Sequence, residues 1–349
     1  MNSNPFTLIF GVEPQSYIPR NEEYLRIISD FESTRPTSSG YVITGVRGCG
    51  KTVLLTSIQN HFSEERDWFV LRLNPDLDFF SSAISQLGEY IHLKELVNEI
   101  NISIAGFGGG VSTRSLSDYE TLLRKMLNDV KKQNKKVLIA IDEASNTKNL
   151  KSFAHSYQAF IGEGLPVFLL MTALPENFNS LSNSKNATFL RRLPRINLGK
   201  LSNYLIEQKY KEIFDISDEN AVKLTNFVMG YPYAFQLLGS LLWDENKKMI
   251  DEEITAKLDV LLYDGAYKAI WTHTSPKEKE VLLAMAHSHD MTVKDIRGRL
   301  NLENNQFSPY RESLRESGLI NTDSFGIISF SLPRFREFIL KTEQFESLT

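Results

Sequence analysis

The chain lacks most of the features that would assign its class outright. It has one cysteine, Cys49, so no internal disulfide can form, which fits a reducing cytosol. Nowhere do about 18 apolar residues run together, so no transmembrane helix and no membrane partner are expected. The opening residues lack the basic stretch and long apolar run of a secretory signal. A cytoplasmic location follows as the expectation. No charge of either sign dominates: 39 Lys and Arg stand against 43 Asp and Glu, a formal net charge of −4. That excludes coating nucleic acid through bulk charge but leaves room for a local basic face. The six histidines show no metal-binding spacing such as His-Glu-x-x-His. Internal repeats and low-complexity tracts are absent.

What is present begins with length. The 349 residues are too many for one small core and suit two or three domains. Residues 45–52 read GVRGCGKT. The β-branched and apolar Tyr41–Thr44 precede them and read as a buried strand. Val53, Leu54, Ile58 and Phe62 follow at helical spacing. Strand, glycine loop and helix together form a phosphate-binding arrangement. Gly45, Gly48 and Gly50 admit backbone angles closed to other residues. The successive N–H groups of Gly45, Val46, Arg47, Gly48, Cys49, Gly50, Lys51, Thr52 and Val53 can then cradle phosphate oxygens at a helix N-terminus. Lys51 reaches the β- and γ-phosphates, and the Thr52 hydroxyl is offered to Mg²⁺.

A second piece lies at KKVLIAIDEAS (Lys135–Ser145). Val137–Ile141 is a continuous apolar run, as in a parallel strand buried on both faces. Asp142 and Glu143 stand at its carboxyl end, where open α/β sheets place ligands. Asp142 suits Mg²⁺ held through water, and Glu143 suits activation of an attacking water. The plainer alternative is an acidic pair capping the next helix. A third apolar strand, Leu165–Pro175, ends near Thr172, whose hydroxyl either reaches the γ-phosphate or the water, or only terminates the strand. Arg191, Arg192 and Arg195 follow. They read either as transition-state cations at a subunit edge or as a solvated basic loop. GFGGGVS (Gly106–Ser112) lacks the lysine and helix of a phosphate site and reads as a hairpin or loop. KKQNKK (Lys131–Lys136) reads as the basic C-terminus of a helix.

These motifs resemble the AAA+ ATPases, within them the archaeal-type ATPases close to the origin-recognition and replication-loading ATPases. The resemblance spans most of the chain. It implies that GVRGCGKT is the phosphate loop, LIAIDEA the acidic strand, Thr172 the first sensor, and Arg191 and Arg192 the arginine-finger region. In the N-terminal segment Phe10–Ile28, Tyr17, Ile18, Arg20 and Glu22 match the residues that touch adenine, with Pro19 in place of the usual glycine. GYPYAFQLLG (Gly230–Gly239) resembles the lid-helix signature. No arginine follows Gly230-Tyr231-Pro232, so the lid sensor role is missing. This Gly-x-Pro form, with Pro232, is similar to the STAND signalling ATPases. The GTPase base-recognition signature is absent, and the resemblance favours ATP with Mg²⁺.

The last third reads as helical from about Leu198 to Lys268, and then restarts. Ser275, Pro276 and Glu278 form a strong helix start. Two further helices follow, the last stopping at Gly318, and then a turn at Phe325-Gly326 with a β segment. Three helices and a hairpin read as a winged helix-turn-helix, similar to the DNA-reading domain of the replication ATPases. Arg311 and Arg315, four apart, suit double-stranded DNA, while Glu312 and Glu316 oppose that.

The expected fold is therefore α/β: a doubly wound P-loop NTPase core (1–197), a helical lid (198–268) and a winged helix (269–349). The expected function is ATP hydrolysis with Mg²⁺, slow without a partner, coupled to DNA binding. The alternative is a STAND-like switch that binds a protein partner or self-assembles. Nothing resembles the small-substrate pocket of a metabolic kinase. Cys49, within the anion-binding loop, reads either as a reactive thiol whose alkylation blocks ATP or as a small loop residue with no special reactivity.

Overall fold

A computed structural model describes residues 3–9, 14–91, 116–184 and 188–347. The glycine-rich stretch at 106–112 lies outside the described residues, as does position 10 of the N-terminal segment. The chain divides into two compact units: residues 20–44 with 54–196, and residues 1–19 with 45–53 and 197–349.

The first unit is built on a sheet. Strands β1 (Gly40–Thr44), β2 (Trp68–Leu73), β3 (Lys136–Ile141), β4 (Val167–Ala173) and β5 (Arg195–Asn197) stand in the order β2-β3-β4-β1-β5. The pairs β2–β3, β3–β4 and β4–β1 are parallel. Every residue of β1 and β4 is buried, as strands covered on both faces require. Register sets Thr44 beside Ala173 and Ile141 beside Met171, so β1, β3 and β4 end along one edge. The chain crosses from β1 to the far strand β2, returns through β3 and β4, and then adds β5 on the other side of β1. Strand order thus reverses at β1, the point at which open sheets bind ligands at their carboxyl ends.

Alternation along the strands serves two faces. On one, Trp68 and Phe168 meet Phe31 of α1 (Asn21–Glu32) and Phe62 of α2 (Lys51–Glu64). Ring centroids lie 4.2 Å apart for Phe62–Trp68 and 4.9 Å for Phe31–Phe168. On the other, Leu71, Ile139 and Met171 join one apolar cluster with α3 (Phe79–Ile91), α4 (Leu116–Lys132) and α5 (Lys148–Gly162), through Phe80, Leu123 and Phe153. The basic end read for Lys131–Lys136 closes α4, with Asn134 at φ 54° leading into β3.

The second unit is mainly helical. It contains α7 (Asn203–Phe214), α8 (Asp218–Val228), α9 (Pro232–Asp244), α10 (Glu252–Leu262), a π-helical turn (Tyr263–Tyr267) and α11 (Lys268–His273). After these come α12 (Pro276–His287), α13 (Val293–Leu300), α14 (Asn304–Glu316), an antiparallel ribbon of β6 (Ile320–Asn321) and β7 (Ser329–Phe330), and α15 (Phe335–Glu346). Ser275 and Glu278 form the expected capping box on α12. Gly318 follows α14 at φ 75°, and Gly326 turns the ribbon at φ 74° beside a fully exposed Phe325. The ribbon is short, and residues 326–328 pair instead with the 291–293 segment: the Val293 N–H donates to the Gly326 carbonyl at 2.9 Å and the Ile328 N–H to the Met291 carbonyl at 2.8 Å.

One hydrophobic cluster takes in residues from Phe6 and Ile18 through Tyr210, Phe235 and Tyr267 to Phe307 and Phe335. Helices α7 to α10 and the C-terminal helices therefore share a core. Two polar ties reinforce it. Tyr267 donates to the Pro333 carbonyl at 2.5 Å. Arg334 forks onto Asp259 with two bonds of 2.8 Å, a geometry that only a guanidinium supplies.

Candidate functional site

The loop of residues 45–53 follows β1 directly and opens α2. All three of its glycines have positive φ: 148° at Gly45, 78° at Gly48 and 95° at Gly50. Gly48 shows why only glycine serves. A Cβ there would lie 2.3 Å from the Tyr231 hydroxyl. Lys51 extends back over the loop, its Nζ donating to the Gly45 and Val46 carbonyls at 2.9 and 3.1 Å. The ammonium therefore stands among backbone groups of the loop, where a phosphate oxygen would compete for it. Thr52 lies in the first turn of α2 and is half-buried.

Cys49 is 2% exposed, and its Sγ fills the space beside Gly45. Of the two readings of Cys49, this burial favours the small packing residue of the loop over the reactive thiol. The sequence pattern showed the loop but not its burial.

Sequence reasoning also missed what the loop touches within its unit. Tyr231, the N-cap residue of α9, donates its hydroxyl to the Arg47 carbonyl at 2.7 Å. Burial pushes that phenol well above its ordinary pKa, so it remains a donor at physiological pH. Val46 packs against the shared helical cluster. A side chain built at Gly318 would meet Val46 Cβ at 3.4 Å. The loop thus bonds to the start of α9, and Val46 lies near the turn at Gly318. The one available signal was the aromatic between Gly230 and Pro232. Gly230 has φ 74°, and Pro232 takes the first position of α9, where its missing N–H costs nothing.

Asp142, Glu143 and Thr172 belong to the sheet unit. Thr172 is fully buried at the end of β4. Its hydroxyl donates to Asp142 Oδ1 and accepts from the Glu143 N–H at 2.9 Å. Asp142 Oδ1 also accepts from that N–H at 3.1 Å. The Ala144 N–H donates to the Thr172 carbonyl at 2.7 Å. The β4 end therefore pins the turn after β3. Glu143 itself has φ 53°, a left-handed backbone uncommon outside glycine, and its side chain is exposed. Strain held by neighbouring bonds in this way is typical of functional turns. Where the sequence sends Thr172 toward phosphate, the structure sets its hydroxyl on Asp142.

Other sequence candidates scatter. Arg191 and Arg192 close a 3-10 turn (Thr188–Arg192). Arg191 donates to the Ser182 carbonyl at 3.0 Å and to Asn183, so it is tied to α6 (Pro175–Ser182). Arg192 is exposed. Arg195 lies over the Phe178 ring at 4.6 Å. Ile18 is buried in the helical cluster and Tyr17 is half-buried beside it in sequence, while Arg20 precedes α1 and lies 3.9 Å from Glu23. Arg315 is bound bidentately by Glu312, and Arg311 is half-buried.

Residues 21–163 match a family model described as an ATPase domain predominantly from Archaea. Residues 21–163 are thus similar to an archaeal-type ATPase domain. That domain spans α1 through α5, including the glycine loop and Asp142–Glu143. Residues 264–339 match a second model, a domain of unknown function, which takes in α12 to α14 and the ribbon. Two solved structures are similar in fold. A Walker-type ATPase of Pyrococcus abyssi has a TM-score of 0.63 at 14% identity, over 93% of this chain and 96% of that one. The ORC2 protein of Aeropyrum pernix, in ADPNP–ADP complexes, has a TM-score of 0.54 at 14% identity, over 99% and 100%. A search of curated proteins finds no match. No helix among the described residues is long and apolar enough to cross a membrane.

Proposed function

We propose that this protein binds and hydrolyses ATP with Mg²⁺ and passes its nucleotide state to the C-terminal helices and ribbon, read as a winged helix. The observation that carries the proposal is the loop itself: three positive-φ glycines following a buried strand, with Lys51 folded onto its carbonyls. The donor set suits the ligand. Backbone N–H groups and an ammonium fit phosphate. A threonine hydroxyl and a carboxylate are hard oxygen donors of the kind Mg²⁺ takes.

In this reading Mg²⁺ supplies charge neutralisation on the phosphates. Gly45 to Val53 bind them through backbone amides and Lys51 through its ammonium. Thr52 and Asp142 are the proposed oxygen donors to the ion, with Thr172 fixing the Asp142 carboxylate. Glu143 takes the proton of the attacking water at its exposed carboxylate. Tyr17, Ile18, Arg20 and Pro232 are proposed for the base, and Arg191 and Arg192 for a finger acting on a neighbouring subunit.

The partner has two readings. Double-stranded DNA would meet Arg311 and Arg315. The pairing of Arg315 with Glu312 favours the second, a nucleotide-operated switch that presents this surface to a protein. Calorimetry and phosphate release on the full chain test the core proposal. Micromolar ATP binding lost in Lys51→Ala supports it, and equal binding by the variant overturns it. Salt-sensitive DNA affinity lost in Arg311→Ala/Arg315→Ala selects DNA. Nucleotide-dependent protease sensitivity without DNA binding selects the switch.

A further inference from the structure

A group of metal-ligand side chains lies at the end of α2 remote from Lys51. Glu32 closes α1, His61 lies in the last turn of α2, and Glu65 stands one residue past it. One ligand atom from each lies within 4.8 Å of the others. His61 Nε2 and Glu32 Oε1 are 2.8 Å apart. The spacing of His61 and Glu65, four apart, sets both on one side of a helical turn.

Two further observations point to a cation here. The first is charge placement. Helix C-termini carry partial negative charge and favour bases. Here α1 ends without a basic residue in its last turn, and α2 has only His61. Glu32, Glu64 and Glu65 nevertheless crowd these two ends. The nearby Lys136 ammonium is already committed to the Phe31 carbonyl at 2.9 Å, above the Trp68 and Phe168 rings. The second is rigidity. Phe31 and Phe62, the chain neighbours of Glu32 and His61, are fully buried in the aromatic cluster beneath, 6.1 Å apart. The His61 ring is also held edge-on by Tyr24 at 6.0 Å. The two helix ends cannot splay, so the ligands are held near one another before any ion arrives.

We propose that Glu32, His61 and Glu65 bind a zinc-class divalent cation that bridges α1 to α2. One imidazole and two carboxylates are borderline and hard donors, which suit Zn²⁺ or Co²⁺ and not Ca²⁺. Tetrahedral Zn²⁺ with ligands at about 2.0–2.1 Å needs donors about 3.3 Å apart. Small side-chain rotations deliver that from the present spacing, with water completing the shell on the exposed side. The α2 helix has 14 residues, about 20 Å of rise, so this site is separate from Lys51 and Thr52 at its other end.

The experiment titrates ZnCl₂ into the full chain, freed of metal, by calorimetry, and CoCl₂ with visible absorption. The expected result is one equivalent bound in the micromolar range, with d–d bands for Co²⁺. His61→Ala weakens binding at least about tenfold, and Glu32→Gln/Glu65→Gln does likewise while preserving side-chain shape. Zinc raises the melting temperature of the wild type by a few degrees and leaves these variants unmoved. Equal Zn²⁺ affinity in wild type and His61→Ala overturns the proposal, as does absence of binding at about millimolar Zn²⁺.

Discussion

At the proposed phosphate loop the candidate binding groups belong to the backbone. At the end of β3 they belong to side chains. The loop needs glycine at 45, 48 and 50 because each takes a positive φ, and Lys51, the side chain proposed for phosphate, folds onto two carbonyls. The β3 turn instead holds a non-glycine, Glu143, at φ 53°. Bonds from Thr172 to Asp142 and from the Glu143 N–H hold it there. A backbone site fails when one rigid position changes, whereas a side-chain site fails in degrees. Substitutions at the two regions should therefore differ in size and in kind.

The largest effect should come from Lys51→Ala. It removes the only ammonium of the loop, and ATP affinity should fall by at least about a hundredfold, since charge-assisted bonds to phosphate are the strong ones. Calorimetry checks this, and a drop under about threefold would move phosphate recognition elsewhere. Next comes Glu143→Gln. It should leave ATP affinity within about twofold and lower turnover by a factor of about 10²–10⁴, the range for a positioned general base. Phosphate release and calorimetry on the same preparation separate the two effects. Unchanged turnover would leave the acidic turn as structural only.

This contrast also explains what could be read from the sequence. The loop was legible because its chemistry is local: glycine, lysine and threonine at set spacing between a strand and a helix. Strand β3 was legible because a fully buried parallel strand must be apolar throughout. The α12 start was legible because a capping box involves only neighbours in sequence. What could not be read were contacts made at long sequence separation. Tyr231 and Arg47 are 184 residues apart, and Thr172 and Asp142 are 30. No periodicity encodes such pairs. The burial of Cys49 was hidden as well, since the local glycine pattern does not say what packs over it.

Thr172→Val sharpens the comparison from the side-chain end. The substitution keeps shape and removes the hydroxyl, leaving the Glu143 N–H with Asp142 alone. Losing a buried, satisfied hydroxyl should cost about 1–2 kcal/mol in denaturant unfolding. Turnover should fall about tenfold with ATP affinity nearly intact, because the carboxylate loses its orientation and not its charge. If binding and turnover fell together, Thr172 would contact the nucleotide itself, one of the roles left open for it by the sequence.

The smallest change, Tyr231→Phe, tests whether the backbone loop is held in place by its own glycines or by its bond to the start of α9. The phenyl ring stays packed, and only the bond to the Arg47 carbonyl is lost. Stability should fall by about 1 kcal/mol, the net worth of one hydrogen bond. The effect on ATP distinguishes two mechanisms. If the hydroxyl clamps the loop in a shape that phosphate must alter, the variant should bind ATP about threefold to tenfold tighter, because the ligand no longer breaks the bond. If the hydroxyl preorganises the loop for phosphate, affinity should fall by a similar factor. Lys51 already rests on the Gly45 and Val46 carbonyls, an arrangement that phosphate oxygens must displace. The tighter-binding outcome is therefore expected, and calorimetry on the two proteins at equal Mg²⁺ decides it.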